Sequence, residues 1–265
     1  MEKKRKIFIR KNMNHITLNG IIIRDKELGE RDKVIKIFTA EKGIISAIVK
    51  RGQSIKFGKG SIAQILAYCR FSLFEGKSGF VVNEIEIKEL FWGVRENLES
   101  LALAQYFCEL CISWIPDEEI SGELLRLFLN TLYYLSHKKK SLTLLKSIFE
   151  LRGCVLCGYM PDLLCCNKCR KFESESMIFF VRSGNLNCKS CASIQKKSDE
   201  KILSSGVLLA LRHIVYADAD KIFSFSVSEE SEKQLGSICE EYIAEHIGVN
   251  FKSLNFYKSL IQFSR

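Results

Sequence analysis

Two Cys-x-x-Cys pairs, Cys166/Cys169 and Cys188/Cys191, stand eighteen residues apart in the stretch "CNKCRKFESESMIFFVRSGNLNCKSC". One such pair sets two sulfurs on the same side of a tight turn. Two turns at this separation supply the four soft donors of a tetrahedral zinc site. Between them, "SMIFFV" and "RSGNL" read as a short β-ribbon joining the turns. Four thiolates close the coordination sphere, so the spacing predicts one structural Zn²⁺ per chain and not a catalytic ion. The zinc sites of nucleobase deaminases also need an H-x-E motif. Here His15, His137, His213 and His246 are followed by Ile-Thr, Lys-Lys, Ile-Val and Ile-Gly. Cys165 adjoins Cys166 and is a competing ligand, although only Cys166 forms a Cys-x-x-Cys pair with Cys169. A third pair, Cys154/Cys157, lies in an apolar helical run and reads as core, as do Cys69, Cys108, Cys111 and Cys239.

The placement of the charge divides the chain in another way. Residues 1–90 hold 19 Lys and Arg against 10 Asp and Glu, whereas residues 91–265 hold 21 of each, so the whole net charge of +9 lies in the first third. Within it, residues 42–74 carry Lys42, Lys50, Arg51, Lys56, Lys59 and Arg70 with no acid at all. A local field of one sign suits a polyanion-binding surface. No stretch approaches the ~18 uninterrupted apolar residues of a membrane span. The cations of "MEKKRKIFIRK" precede only a three-residue apolar run, which predicts neither a membrane contact nor secretion. The eleven cysteines are therefore expected as reduced thiols plus a metal site, in the cytoplasm.

Residues 1–13 read as a basic arm without period or turn chemistry. Five β-runs follow, at residues 16–23, 33–39, 43–50, 62–74 and 80–87, with Gly76 and Gly79 of "EGKSG" marking a hairpin between the last two. Five short strands in so few residues suit a small closed barrel, which leaves no open edge. After residue 90 the period becomes helical: residues 97–115, then a helix entered from Pro116, then 141–159. Beyond the cysteine segment, 199–218 reads as a helix. A last helix opens at Ser228 with Glu229 and Glu230 in its first turn and closes at Gly248. The expected organisation is an arm (1–13), a barrel domain (14–90), a helical domain (91–160), a four-cysteine zinc module (161–198) and closing helices that pack on the helical domain (199–265).

"GQSIKFGKGS" (52–61) approximates a nucleotide-binding loop, but five residues separate Gly52 from Gly58 and Gly60 follows Lys59, so ATP binding is rejected. The same segment makes sense as a basic loop that approaches phosphates. Read together, "LGERDKVIKIFTAEKG" (28–43), "VKRGQSIKFGKGSIAQ" (49–64), "LCGYMPDLLCCNKC" (156–169) and "GNLNCKSC" (184–191) resemble the bacterial RecO recombination mediators. That resemblance implies an α+β multidomain chain, with an N-terminal OB-fold β-barrel followed by an α-helical domain carrying an inserted zinc-binding module. It implies a non-enzymatic protein that binds single- and double-stranded DNA and anneals complementary strands. With RecR, such a protein helps load RecA onto DNA coated by single-strand-binding protein (SSB), whose acidic C-terminal tail docks on the helical domain.

The cations assigned to DNA are Arg24, Arg31, Lys33, Lys36, Lys42, Lys50, Arg51, Lys56, Lys59 and Arg70. Phe57, Tyr68, Phe71 and Phe74 interleave with them, and strand alternation leaves at most one or two of these rings to stack on bases. The alternative function is a zinc-ribbon RNA-binding or transcription-associated factor, since OB barrels accept either polymer. A metal-dependent nuclease or hydrolase is disfavoured by the lack of clustered carboxylates or a His-containing metal motif.

Overall fold

The computed structural model describes residues 14–29, 32–50, 64–76, 79–116, 119–192 and 199–263. The basic arm 1–13, Arg31, Arg51, Lys56, Phe57, Lys59 and the loop 52–61 lie outside them. Two compact units emerge: Met1–Leu90 with Asp117–Gly122, and Phe91–Pro116 with Glu123–Arg265.

The first unit is a closed barrel of β1 (His15–Leu28), β2 (Asp32–Thr39), β3 (Gly43–Lys50), β4 (Tyr68–Gly76) and β5 (Gly79–Glu89). The strand order is β1-β2-β3-β5-β4, with β4 returning to β1. All pairs are antiparallel except β3 with β5, where Ala47 and Ile48 face Phe80 and Val81 in parallel. Alternation decides what points inward: Ile35 and Ile37, Ile45 and Ala47, and Cys69, Phe71 and Leu73 fill the lumen while their neighbours face out. The β4–β5 hairpin closes through the pair Gly76–Gly79, where the glycine signal places it. The fourth run becomes a strand only at Tyr68. Leu66 adopts a φ of +69°, which breaks the extended chain, while Leu66 N–H and Ala67 C=O bond to Ile22.

The second unit contains α1 (Trp92–Arg95), α2 (Leu98–Trp114), α3 (Gly122–Ser136, from Glu123 on), α4 (Leu142–Leu156), α5 (Ser205–Tyr216), α6 (Glu229–Ile247) and α7 (Lys252–Phe263). It also holds a small sheet of β6 (Met177–Phe180), β7 (Asn185–Cys188) and β8 (Glu200–Leu203), in the order β7-β6-β8. The side chains of Asn97, Ser141, Ser204 and Ser228 accept bonds from N–H groups at the starts of α2, α4, α5 and α6, and Gly248 closes α6 at φ +66°. Phe149 sits at the centre of the core: Phe107, Trp114 and Phe128 surround it at centroid distances of 4.3, 5.7 and 5.7 Å.

Three expectations are corrected. Residues 199–203 do not begin a helix: β8 lies on the free edge of β6, and Ser204 then caps α5. The helix after Pro116 begins only at Gly122. Finally, α7 was hidden beyond Gly248. It is an amphipathic helix that buries Leu254 and Tyr257, and it packs on α2.

Gly153 of α4 is where the aromatic core is least tolerant. A Cβ there would lie 2.2 Å from the Trp114 ring, which is itself buried. Gly153→Ala should therefore destabilise by about 1–3 kcal/mol through overpacking, despite the better helix propensity of Ala. Chemical denaturation checks this, and an unchanged or raised midpoint would show that the indole yields freely.

Candidate metal centre and nucleic-acid surface

Two turns bring the four cysteines together. In the first, Arg170 N–H donates to Cys166 C=O at 2.9 Å, Cys166 N–H donates to Lys171 C=O at 2.8 Å, and Arg170 takes a φ of +63°. In the second, at the end of β7, Cys191 and Ala192 N–H groups fold back on Cys188 C=O at 2.9 and 3.0 Å. The antiparallel β6–β7 ribbon pairs Met177 with Cys188, and Asn167 N–H donates to Leu186 C=O, which holds the first turn against the second. The sulfurs of Cys166, Cys169, Cys188 and Cys191 all lie within 4.8 Å of one another, and Cys169 and Cys188 Sγ are 3.6 Å apart. A tetrahedron with ~2.3 Å metal–sulfur bonds has edges of about 3.8 Å. The donor set therefore fits one metal ion. Cys165 stands outside the cluster, with its sulfur accepting from Arg170 Nη1 at 3.9 Å.

Burial would raise the Cys166 thiol, but backbone N–H groups of Cys169, Cys188 and Lys168 and the Cys169 side chain bring it down to about 6. Cys191 moves the other way, to about 12, because the sulfurs of Cys188 and Cys169 hold its proton. Beyond the sulfurs, Arg212 of α5 ties the segment down: it donates to the carbonyls of Leu163, Leu164 and Phe172 at 2.8, 2.9 and 2.6 Å, with its guanidinium 4.0 Å from the Phe172 ring centroid. Cys154 is fully buried and Cys157 half-buried at the end of α4. Cys69, Cys108, Cys111 and Cys239 are buried as expected of core thiols.

The cations assigned to DNA do not gather as compactly. Arg24 on β1 faces Lys36 on β2 as a direct cross-strand pair, and Lys36 in turn faces Ser46 on β3. Lys33 instead forms an ion pair with Asp25 near the end of the barrel. Lys42, in the β2–β3 turn, sits 6.0 Å from the Phe80 ring centroid, and Lys50 ends β3 opposite Asp32. Arg70 lies opposite Asn19 and Glu86, in a polar groove with His15, Ser72 and Glu84. The acid-free run in the sequence is thus not acid-free in space, because β5 lays its glutamates beside β4. Of the aromatics, Phe71 is core, while Tyr68 and Phe74 are half-buried.

A second feature escaped the sequence reading. A cleft in the helical unit is lined by Glu123, Arg126, Asn130, Arg152, Leu156 and Phe223, two cations and one acid among apolar walls. Its walls come from three separate segments, so no short motif announces it.

Comparison with known proteins gives a consistent picture. Residues 13–91 match the model of the family described as "Recombination protein O N terminal", and residues 95–255 match "Recombination protein O C terminal". The chain is 34% identical over 249 residues to the DNA repair protein RecO of Acetivibrio thermocellus, covering 94% of this chain and 98% of that one. It is 31% identical over 246 residues to the DNA repair protein RecO of Alkaliphilus metalliredigens, covering 92% and 99%. The DNA repair protein RecO of Clostridium novyi is 25% identical over 241 residues, covering 91% and 93%.

Proposed function

This chain belongs to the RecO family, and on that premise we propose that it is a DNA repair and recombination mediator. In this reading it binds single- and double-stranded DNA, anneals complementary strands, and acts with RecR to load RecA onto SSB-coated DNA. It works in the cytoplasm at the nucleoid, by binding and not by making or breaking bonds. The observation that carries the reading is the pair of family matches over residues 13–91 and 95–255, which coincide with a closed five-stranded barrel and a helical unit. Among the described residues no helix is long and apolar enough to cross a membrane.

The barrel, ordered β1-β2-β3-β5-β4, is read as an OB-fold, a fold that grips single strands through a cationic groove and stacking rings. Arg24 and Lys36 supply a cationic cross-strand pair on it. The DNA contacts are read as these two with Lys33, Lys42, Lys50 and Arg70, and with Arg31, Arg51, Lys56 and Lys59, which lie outside the described residues. The Cys166/Cys169/Cys188/Cys191 cluster is read as a Zn²⁺ site in which four thiolates supply a structural brace. The cleft in which Arg126 and Arg152 outnumber Glu123 is read as the place where the acidic SSB tail docks on the helical unit.

The test is strand pairing: the protein should accelerate annealing of complementary strands coated with SSB, without ATP. No acceleration, or binding confined to RNA, would overturn the reading in favour of an RNA-binding zinc-ribbon factor. Charge reversal of Lys50, Arg51, Lys56 and Lys59 together should remove most single-strand affinity at moderate salt. If four to six cations meet phosphates, log K should fall with log salt at a slope of about −3 to −4. Fluorescence anisotropy reads both, and unchanged affinity in a folded variant would refute the assignment to these four residues.

A further inference from the structure

A second acid-free span runs from Leu124 to Phe149 and carries Arg126, Lys138, Lys139, Lys140 and Lys146. Lys146 is spent in the interior, where it bonds Glu150 and Glu240. Lys140 donates to Phe225 C=O at 2.7 Å. Lys138 and Lys139 remain at the surface, just past the C-terminal end of α3. Among the described residues the Lys138 ammonium has no hydrogen-bond or ion-pair partner. Its backbone, at φ +51°, turns the chain sharply off the helix.

Aromatic rings stand against these cations. Lys139 Nζ lies 4.5 Å from the Tyr133 ring centroid and donates to its hydroxyl at 2.8 Å. The exposed His137 ring packs 4.3 Å from Tyr133, which is 43% exposed. The same helix end touches α1: Gly93 N–H donates to Ser136 Oγ at 3.1 Å, and a Cβ on Gly93 would lie 2.0 Å from Ser136 C=O. The residue next to that contact, Trp92, is 61% exposed.

Lysines at a helix C-terminus also complement its macrodipole. That accounts for one cation near the last carbonyls. It does not account for both Lys138 and Lys139, because backbone N–H groups of His137, Lys138 and Lys139 already bond Tyr133, Leu135 and Tyr134 carbonyls. Nor does it explain solvent-facing rings beside them. Cations interleaved with exposed aromatic faces are what phosphates and unstacked bases require together.

We propose that Tyr133, His137, Lys138 and Lys139, with Trp92 at the edge, form a second binding site for single-stranded nucleic acid, on the helical unit. This rests on the reading of the chain as a strand-annealing protein and extends it. Annealing brings two strands to one protein, and a second site gives the second strand somewhere to lie.

The full-length protein tests it. Trp92 is exposed and Trp114 is 8% exposed within the core, so oligo(dT) should quench emission that disappears in Trp92→Phe. The exposed double variant Lys138→Glu/Lys139→Glu should lose this quenching. It should bind oligo(dT) about tenfold more weakly, with a salt slope shallower by about 1.4, two single-strand contacts at ~0.7 each. If the wild-type protein binds oligo(dT) by anisotropy but Trp92 is not quenched, or the double variant keeps wild-type affinity and slope, this site is wrong while the DNA-binding reading stands. If the wild-type protein does not bind oligo(dT) at all, both fall.

Discussion

Cys188→Ala is expected to abolish retention of one zinc per chain and to melt the segment around it before the rest of the protein. The reason lies in how little else holds that segment. Its sheet consists of three four-residue strands, β6, β7 and β8, whose buried apolar side chains come down to a handful such as Met177, Phe179, Leu186 and Leu203. Small zinc modules gain an apparent ~10–16 kcal/mol from the metal, far more than a ribbon of this size gains from its own core. Cys188 is also the residue that joins the two halves: it ends β7, pairs with Met177 on β6, and lies 3.6 Å from Cys169 of the other turn. Metal analysis of the purified variant and a melting curve with and without chelator check the outcome. The wild-type protein should lose stability on chelation, and the variant should not respond. One zinc per chain after the substitution would mean that the ligands are different. Affinity for single strands at the barrel should persist in the variant, which separates a bracing role from a DNA-contacting one.

Lys146→Met should cost about 3–5 kcal/mol, the penalty for stranding a buried charge. Lys146 is 5% exposed and Glu150 is fully buried. Their ion pair of 2.9 Å is extended by Tyr106, whose hydroxyl donates to Glu150 at 2.7 Å, and by Glu240, which accepts from Lys146 at 2.9 Å and pairs with Lys258. The network therefore ties α2, α4, α6 and α7 into one core. Burial would lower the Lys146 ammonium, but Glu150 and Glu240 outweigh it and hold the charge on. At Glu150 burial dominates and raises the carboxyl above its ordinary 4.5, against the pull of Lys146 and Tyr106. Removing Lys146 strengthens that rise. A carboxyl raised in the folded state keeps a proton that the unfolded chain gives up, so the variant loses stability as pH climbs above about 4.5. The deficit relative to wild type should be small in acid and grow toward neutrality. Adding Glu150→Gln should recover part of the loss. Urea titrations at several pH values read this, and a deficit below about 1 kcal/mol, or one flat with pH, would mean the network does not carry the core.

Much of this was legible along the chain because the signals are short-ranged. The two turns of the cysteine cluster are set by spacing within four residues. Ser228 and Gly248 bracket α6 by the bonding needs of its own first and last turns. Gly76 and Gly79 mark a hairpin, and the period of two in "CRFSL" puts Phe71 and Leu73 inside the barrel. The four-cysteine cluster was visible for the same reason: ligand spacing is a local quantity.

What only the tertiary structure decided are the relations between residues far apart in the chain. No window of sequence states that β3 runs parallel to β5, that β8 completes the edge of β6, or that Glu86 of β5 lands opposite Arg70 of β4. The cationic stretch looked continuous because only its own residues were counted, and sheet pairing brought acids from another strand beside it. Lys146 looked like one more cation in a helix until four helices converged on it. Propensity, capping and spacing act over a few residues and can be read in order. Burial, register and charge compensation depend on which distant surfaces exclude water from each other, and that is settled only when the chain closes on itself.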